Sequence, residues 1–361
     1  MFAIILAGGA GTRLRPLTYA RRKELVPLLN RPLLEYRLRN LALHGVRDIV
    51  LACSQGMREV EEHFGDGADL GVRLQYSYED RPLGSGRAVK QAARFAGATG
   101  TIVVCNGDIL TNVDLTAMLE QHRTTRATLS LSLAAVDDPW HFGVVEVDDA
   151  LRISRFIEKP PQGEEPSNLI NAGTWLWEPE MLDRIPDDET AVRDGFSERV
   201  LFPSIIADGL RAQGFEEDLW IDVGTPDRYL RATAMLLART MRVAGADLAA
   251  ADDARVGDAV MFDGDVVVGE NVRIGDLAQI IGPTVIGPGG DIGDRALIDS
   301  SVLWEHVHVG AGARVSGSIL AAGASVGDGA VVTDAILADG ASVGDGIVLP
   351  PGARLMPGER A

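Results

Sequence analysis

Only three of the 34 basic residues are lysines: Lys23, Lys90 and Lys159. Where any cation serves, this chain uses arginine, so a retained ammonium marks a place that needs a compact, mobile point charge. Lys23 closes a stretch that opens with the apolar run Ala3–Leu6 and continues Gly8-Gly9-Ala10-Gly11-Thr12-Arg13. The pattern predicts a buried strand feeding a glycine-rich loop, whose backbone amides can crowd around an anion. Gly8, Gly9, Gly11 and Thr12 supply the backbone, while Arg13 and Lys23 supply charge. Such a loop suits a polyphosphate. It lacks the third glycine and helix of a dinucleotide fingerprint and the Gly-Lys-Ser/Thr of a P-loop.

Two carboxylates complete the chemistry. Asp108 ends Cys105-Asn106-Gly107-Asp108 after a β-branched run, where an α/β sheet presents its ligand. Asp222 lies in Trp220-Ile221-Asp222-Val223-Gly224-Thr225-Pro226, just before a helical stretch. Thr225 and Asp227 are better placed to cap that helix, which leaves Asp222 for other work. A hard cation such as Mg²⁺ takes one or two carboxylates plus phosphate oxygens, and this pair fits that need.

These residues need a scaffold. VRDIVLACS, VRLQYSY and GTIVVCNGD predict strands, and PLLEYRLRNLALHG, MREVEEHF and GSGRAVKQAARFA carry apolar residues at helical spacing. The alternation predicts a Rossmann-like, doubly wound sheet. Strands ATLSLSLAAV, FGVVEVD, RISRFIEK and LINAGTWLW follow without helices and predict a mixed or antiparallel edge. PDRYLRATAMLLARTM is expected to close the first domain, residues 1–243.

From residue 244 onward the texture changes. An aliphatic residue followed by glycine recurs at Val256, Val268, Ile274, Ile281, Ile286, Ile292, Val309, Val326 and Val343. Steps of 5 to 7 give way to steps of 17, so three hexapeptides make one coil of a parallel β-helix over residues 244–361. Seventeen acids against six bases place most of the −18 formal charge here, read as a solvated fringe. His306 and His308 are read as residues of a coil face or of a subunit contact. Ile298, Val302, Leu303 and Trp304 need a cover, expected from a second copy of the chain, so the repeats are assigned to homo-oligomer assembly and not to chemistry.

The N-terminal stretch resembles the GGxGTRLxPLT signature of the sugar-1-phosphate nucleotidyltransferases, and four further motifs extend the likeness over about 240 residues. The resemblance implies an enzyme that makes an NDP-sugar and pyrophosphate from a nucleoside triphosphate and a sugar 1-phosphate. In that family the aspartates matching Asp108 and Asp222 hold the catalytic metal. Glu158-Lys159-Pro160 matches the family's EKP motif, which implies Lys159 on the sugar phosphate and Glu158 on sugar hydroxyls. Adjacent strand residues face opposite ways, so a Glu158–Lys159 ion pair is not expected. Asn171-Ala172-Gly173 and Gly143 match sugar-pocket positions, and Pro82-Leu83-Gly84-Ser85 matches the nucleotide segment, with which the family reads the base together with the backbone near Leu6 and Gly8. Arg87 departs from the family's small residue and is expected beside the base; Arg22 and Glu24 replace the prolines that usually flank the lysine. The hexapeptides resemble left-handed β-helices. The domain pairing looks most like mannose-1-phosphate guanylyltransferases, with glucose-1-phosphate thymidylyl-, uridylyl- and adenylyltransferases and heptose-phosphate guanylyltransferases as alternatives. A bifunctional nucleotidyl/acetyltransferase and a non-catalytic regulatory subunit are the readings of other kinds.

The acidic balance argues against nucleic acid as a partner. No run reaches the roughly 20 apolar residues of a membrane span, and the N-terminal apolar run is too short for a signal peptide. Cys53 and Cys105 each end an apolar run and read as core thiols of a reducing, cytoplasmic compartment.

Overall fold

The computed structural model describes residues 1–9, 11–192, 195–244 and 248–361. Its packing forms two units, Met1–Gly9 with Leu33–Ile221, and Ala10–Pro32 with Asp222–Ala361. A cut after residue 243 separates two sequence textures, but the packing interleaves the chain.

The first unit is built on a mixed sheet. Its parallel centre runs Arg73–Tyr78, Asp48–Cys53, Phe2–Ala7, Ile102–Asn106, so the chain winds outward from Phe2–Ala7 and then reverses. Beyond Ile102–Asn106 the sheet turns antiparallel through Leu169–Trp177, Gly143–Val147 and Ile153–Glu158. Leu129–Ala135 also pairs with Leu169–Trp177, and then in parallel with Ala212–Glu216. The mixed edge is thus as the missing helices predict. Helix Gly84–Ala96 lays Ala88, Val89, Ala92 and Ala93 against the parallel strands. On Leu169–Trp177, Trp175 and Trp177 stack at 5.9 Å, two residues apart on one face, with Phe202 edge-on to both. Burying such a side chain stabilises by about 1.5–3 kcal/mol each, which makes this cluster a main contributor to the core.

The repeats of the second unit form a left-handed parallel β-helix, in which the described residues make three sheets of seven, six and five short strands. Coils step by 18 residues at first (Val266↔Thr284), by 17 through the middle (Val285↔Val302, Val302↔Ile319) and by 18 again at the end (Ile336↔Arg354). Aliphatic stacks such as Ile286, Leu303, Leu320 and Leu337 fill its axis. Glycine follows the aliphatic residue for a steric reason. A Cβ on Gly275, Gly310 or Gly327 would lie 2.3–2.5 Å from the carboxylate of Asp294, Asp328 or Asp345 on the next coil. Those carboxylates accept backbone N–H bonds from the preceding coil, Asp276 to Asp294 at 3.0 Å, Ala311 to Asp328 at 2.7 Å and Asp328 to Asp345 at 2.9 Å. The acidic fringe is therefore in part a capping ladder, not only solvated surface.

Two expectations change here. Helix Pro226–Ala244 packs in the second unit, not the first: Tyr229 Oη donates to Pro27 O at 2.5 Å and lies 3.0 Å from Trp304 Nε1. Trp304 is 1 % exposed, and Ile298, Val302 and Leu303 are equally covered by the chain itself, so none of them calls for a second copy.

Candidate active site

The predicted residues divide between the units. Leu6, Gly8, Gly9, Pro82, Gly84, Ser85, Asp108, Gly143, Glu158, Lys159, Asn171 and Gly173 lie on the first; Gly11, Thr12, Arg13, Lys23 and Asp222 lie on the second.

On the first unit, the winding reverses between Phe2–Ala7 and Ile102–Asn106, the switch point at which open α/β sheets bind ligands. Gly8 and Gly9 leave the first of these strands and Asp108 the second. The Gly107 amide donates to Leu6 O at 3.0 Å and ties the two strand ends together. Neither backbone angle nor neighbours require glycine at 8 or 9: a Cβ on Gly9 would meet no described atom within 4 Å, and one on Gly8 only Ser54 at 3.9 Å. A small residue that packing does not demand is suited to close approach from outside.

The sugar-segment residues are held by packing. Gly173 has φ +79°, and a Cβ there would lie 2.5 Å from Ile109. Asn171 Oδ1 accepts from Gly173 N (3.1 Å) and Trp175 Nε1 (2.7 Å) across a break in strand register. A Cβ on Gly143 would lie 2.5 Å from Phe156 and 2.9 Å from the Glu158 carboxylate, so Gly143 makes the bed on which Glu158 rests. Lys159 does pair with Glu158, Nζ to Oε1 at 3.3 Å, contrary to the strand-alternation expectation. The strand ends at Glu158 and Lys159 adopts φ +51°, which breaks the alternation. Lys159 remains more than half exposed.

The nucleotide segment opens helix Gly84–Ala96, with Pro82 exposed and the Leu83 amide donating to Glu79 Oε2 at 3.0 Å. Burial raises the Glu79 carboxyl above its usual range. Ser85 Oγ donates to Glu198 at 2.8 Å and accepts from Ser197 N. Arg87 reaches Pro186 O at 3.1 Å and lies 3.6 Å from Asp187, partners the sequence did not announce. Lys90 and Arg94, on the same stripe, also meet Asp187, whose carboxyl the Arg94 and Lys90 contacts hold at about 2. Lys90 is thus a buried anchor for the 185–187 loop.

On the second unit, Gly11 has φ +60° and precedes the short helix Thr12–Leu14. Its carbonyl accepts from Thr18 Oγ1 at 2.7 Å, and Thr18 and Lys23 crowd its Cα face. Thr12 and Arg13 are exposed, whereas Lys23 is buried. A Cβ on Gly224 would lie 2.8 Å from Asp222 Oδ1 and 3.2 Å from Arg13 Nη2, so this glycine seats carboxylate and guanidinium side by side. Asp222 Oδ2 accepts from Arg228 at 2.8 Å, a partner the sequence did not announce. Among the described residues no three potential metal-ligating side chains gather at one point. Asp108 on the first unit and Asp222 on the second are each a hard oxygen donor of the kind that Mg²⁺ takes.

A model of the nucleotidyl transferase family matches residues 2–239, and a model described as the GMPPB C-terminal domain matches residues 262–357. The chain belongs to the nucleotidyl transferase family. Mannose-1-phosphate guanylyltransferase of Mycobacterium tuberculosis is 38 % identical over 239 residues, 65 % of this chain and 64 % of that protein. UTP–glucose-1-phosphate uridylyltransferase of Synechocystis is 32 % identical over 334 residues, 87 % of this chain and 85 % of that one. A solved structure from Bacillus anthracis, provisionally assigned as a glucose-1-phosphate thymidylyltransferase and determined with sucrose, aligns with TM-score 0.59 at 26 % identity. It covers 65 % of this chain and 94 % of its own.

This nucleotidyl transferase holds a buried polar group beneath the switch point that motif reading missed. Arg37 is 2 % exposed; its Nη1 donates to Thr174 Oγ1 at 2.9 Å, while Nε and Nη2 have no hydrogen-bond partner among the described residues. Glu217 Oε2 accepts from Thr111 Oγ1, and burial lifts the Glu217 carboxyl to about 7 against the pull of Thr111 and Arg37. The signal was present in helix Leu33–Leu43, where Arg37 interrupts the apolar stripe of Leu34, Leu38 and Leu41.

Proposed function

We propose that the chain transfers a nucleotidyl group from a nucleoside triphosphate to a sugar 1-phosphate, releasing pyrophosphate, with GTP and mannose 1-phosphate as the first pair to test. The observation that carries this reading is the switch point itself, with two glycines that packing does not require leaving one strand and Asp108 leaving the next. A phosphate oxygen of the sugar 1-phosphate attacks the α-phosphorus, the bond to the bridging oxygen breaks, and pyrophosphate departs with the electron pair. No covalent enzyme intermediate is needed, so positioning and charge neutralisation supply the catalysis. Arg13 and the loop amides hold the β- and γ-phosphates, and Lys23 meets charge developing at the α-phosphate. Lys159 orients the attacking phosphate, while Glu158, on its Gly143 bed, accepts from sugar hydroxyls. Mg²⁺ bound by Asp108 and Asp222 would neutralise phosphate charge. We place this activity in the cytoplasm, in keeping with two buried, unbridged cysteines.

The mannose and guanine choices rest on the Mycobacterium relative and on the C-terminal family model. A uridylyltransferase reading also has support, because the Synechocystis relative matches across both parts of the chain. Pyrophosphate release across a grid of five nucleoside triphosphates and several sugar 1-phosphates decides between them. GTP with mannose 1-phosphate is expected to give the highest kcat/KM. A best rate with UTP and glucose 1-phosphate would move the assignment to the second reading, and no release with any pair would overturn both.

A further inference from the structure

The segment that carries Arg13 and Lys23 is fastened to the repeats by contacts within the second unit. Arg21 lies two residues before Lys23. Both its terminal nitrogens bond to the Glu305 carboxylate, Nη1 to Oε2 at 3.3 Å and Nη2 to Oε1. Its guanidinium also lies 5.0 Å from the centroid of Trp304, a cation–π geometry. Four residues beyond Lys23, Pro27 O accepts from Tyr229 Oη, which in turn lies 3.0 Å from Trp304 Nε1. Asn30 Nδ2 donates to Ile286 O at 3.1 Å, one coil above Trp304. Lys23 therefore sits in a short stretch pinned on both sides to one wall of the β-helix. Its Cβ in turn packs where a side chain on Gly11 would go, 3.3 Å away, which passes the constraint to Gly11 and the turn bearing Arg13.

We infer that the outer wall of the β-helix at Trp304 and Glu305 positions Lys23 and Arg13, so that the repeats serve phosphate handling through Arg21. The inference rests on the proposed reading of those two cations as phosphate ligands. Arg21 and Glu305 satisfy one another and are positioning residues. A planar guanidinium, stacked on an indole and forked onto a carboxylate, fixes a backbone more tightly than an ammonium would.

The full-length chain tests this with Arg21→Met, Glu305→Gln and the exchanged pair Arg21→Glu with Glu305→Arg. Kinetics with both substrates, titration calorimetry with magnesium pyrophosphate, and thermal unfolding are read together. Each single variant should lose about tenfold or more in kcat/KM for the nucleoside triphosphate, since small displacements of positioned groups are costly. Affinity for magnesium pyrophosphate should fall in parallel, the KM for sugar 1-phosphate should hardly move, and the exchanged pair should recover part of the loss. Wild-type kinetics and pyrophosphate affinity in both single variants would overturn the inference. So would a loss shared equally by both substrates that follows the unfolding temperature and is not recovered by exchange. A wild-type chain inactive with every pair defeats the proposed function instead, and pyrophosphate affinity across the variants still decides the positioning role.

Discussion

Lys90 and Lys159 show how one residue type divides into two uses. Lys90 is buried and donates to Ile185 O at 2.5 Å, whereas Lys159 stands on a left-handed residue with most of its side chain in solvent. Lys159→Arg should raise the KM for sugar 1-phosphate most, since a lost charge-assisted phosphate contact costs on the order of 1.5–3 kcal/mol. Steady-state kinetics on the variant check this, and near-normal values would remove Lys159 from the site. Glu217 gives a pH prediction. Its folded pKa, about 7, lies above its ordinary 4.5, so the folded state holds the proton more tightly than the unfolded chain. Its penalty is absent below pH 4.5, grows as pH rises towards 7, and is constant above, reaching roughly 3 kcal/mol. Glu217→Gln should flatten that fall and raise stability above pH 7, as urea unfolding across pH would show. The motif lysines, glycines and aspartates were legible because their types are unusual where they stand. The contacts of Arg87 with Pro186 and Asp187 were not legible, because they depend on a loop about a hundred residues away, which no local pattern encodes.

The strands and helices that build the first unit were legible because period and turn chemistry agree along most of its length. What the strands do to individual glycines was not. Gly143 was expected to admit a sugar, yet its absent side chain is filled by Phe156 and Glu158. Gly143→Ala should therefore displace the Glu158 carboxylate, lower kcat/KM for the sugar phosphate and leave nucleotide binding nearly intact. Calorimetry with each substrate separates these effects, and a variant that binds the sugar phosphate normally would show that the bed is not needed. In the β-helix the aliphatic–Gly period was plain, but the capping role of its aspartates arises only when a coil stacks on the next. At position 311 the ladder meets alanine, so nothing there caps the Asp294 amide as Asp294 caps Asp276. Ala311→Asp should complete the row and stabilise by about 1 kcal/mol, the usual net worth of one hydrogen bond. Asp328→Ala should cost a similar amount, and thermal unfolding of the two variants reads both signs.

For the molecule as a whole, assembly through the repeats lost its motive once Trp304 and its neighbours proved to be covered by the chain itself. Removal of everything after residue 244 should abolish activity. The cut strips Tyr229 of Trp304, Arg21 of Trp304 and Glu305, and Asn30 of Ile286, and exposes the helix that packed there. Pyrophosphate release from the truncated chain, with its folded content followed by circular dichroism, tests this; a well-folded, fully active truncation would refute it. The same interleaving sets a schedule for biosynthesis. Arg21 and Glu305 are 284 residues apart, so at ribosomal rates of 5–20 residues per second the N-terminal segment waits roughly 15–60 s for its partner to be made. Throughout that interval the loop bearing Arg13 and Lys23 has been synthesised but not fastened. A nascent chain released early, or stalled before the fourth turn of the repeats, would carry every motif of the first 240 residues and still lack the anchor that sets two of its cations.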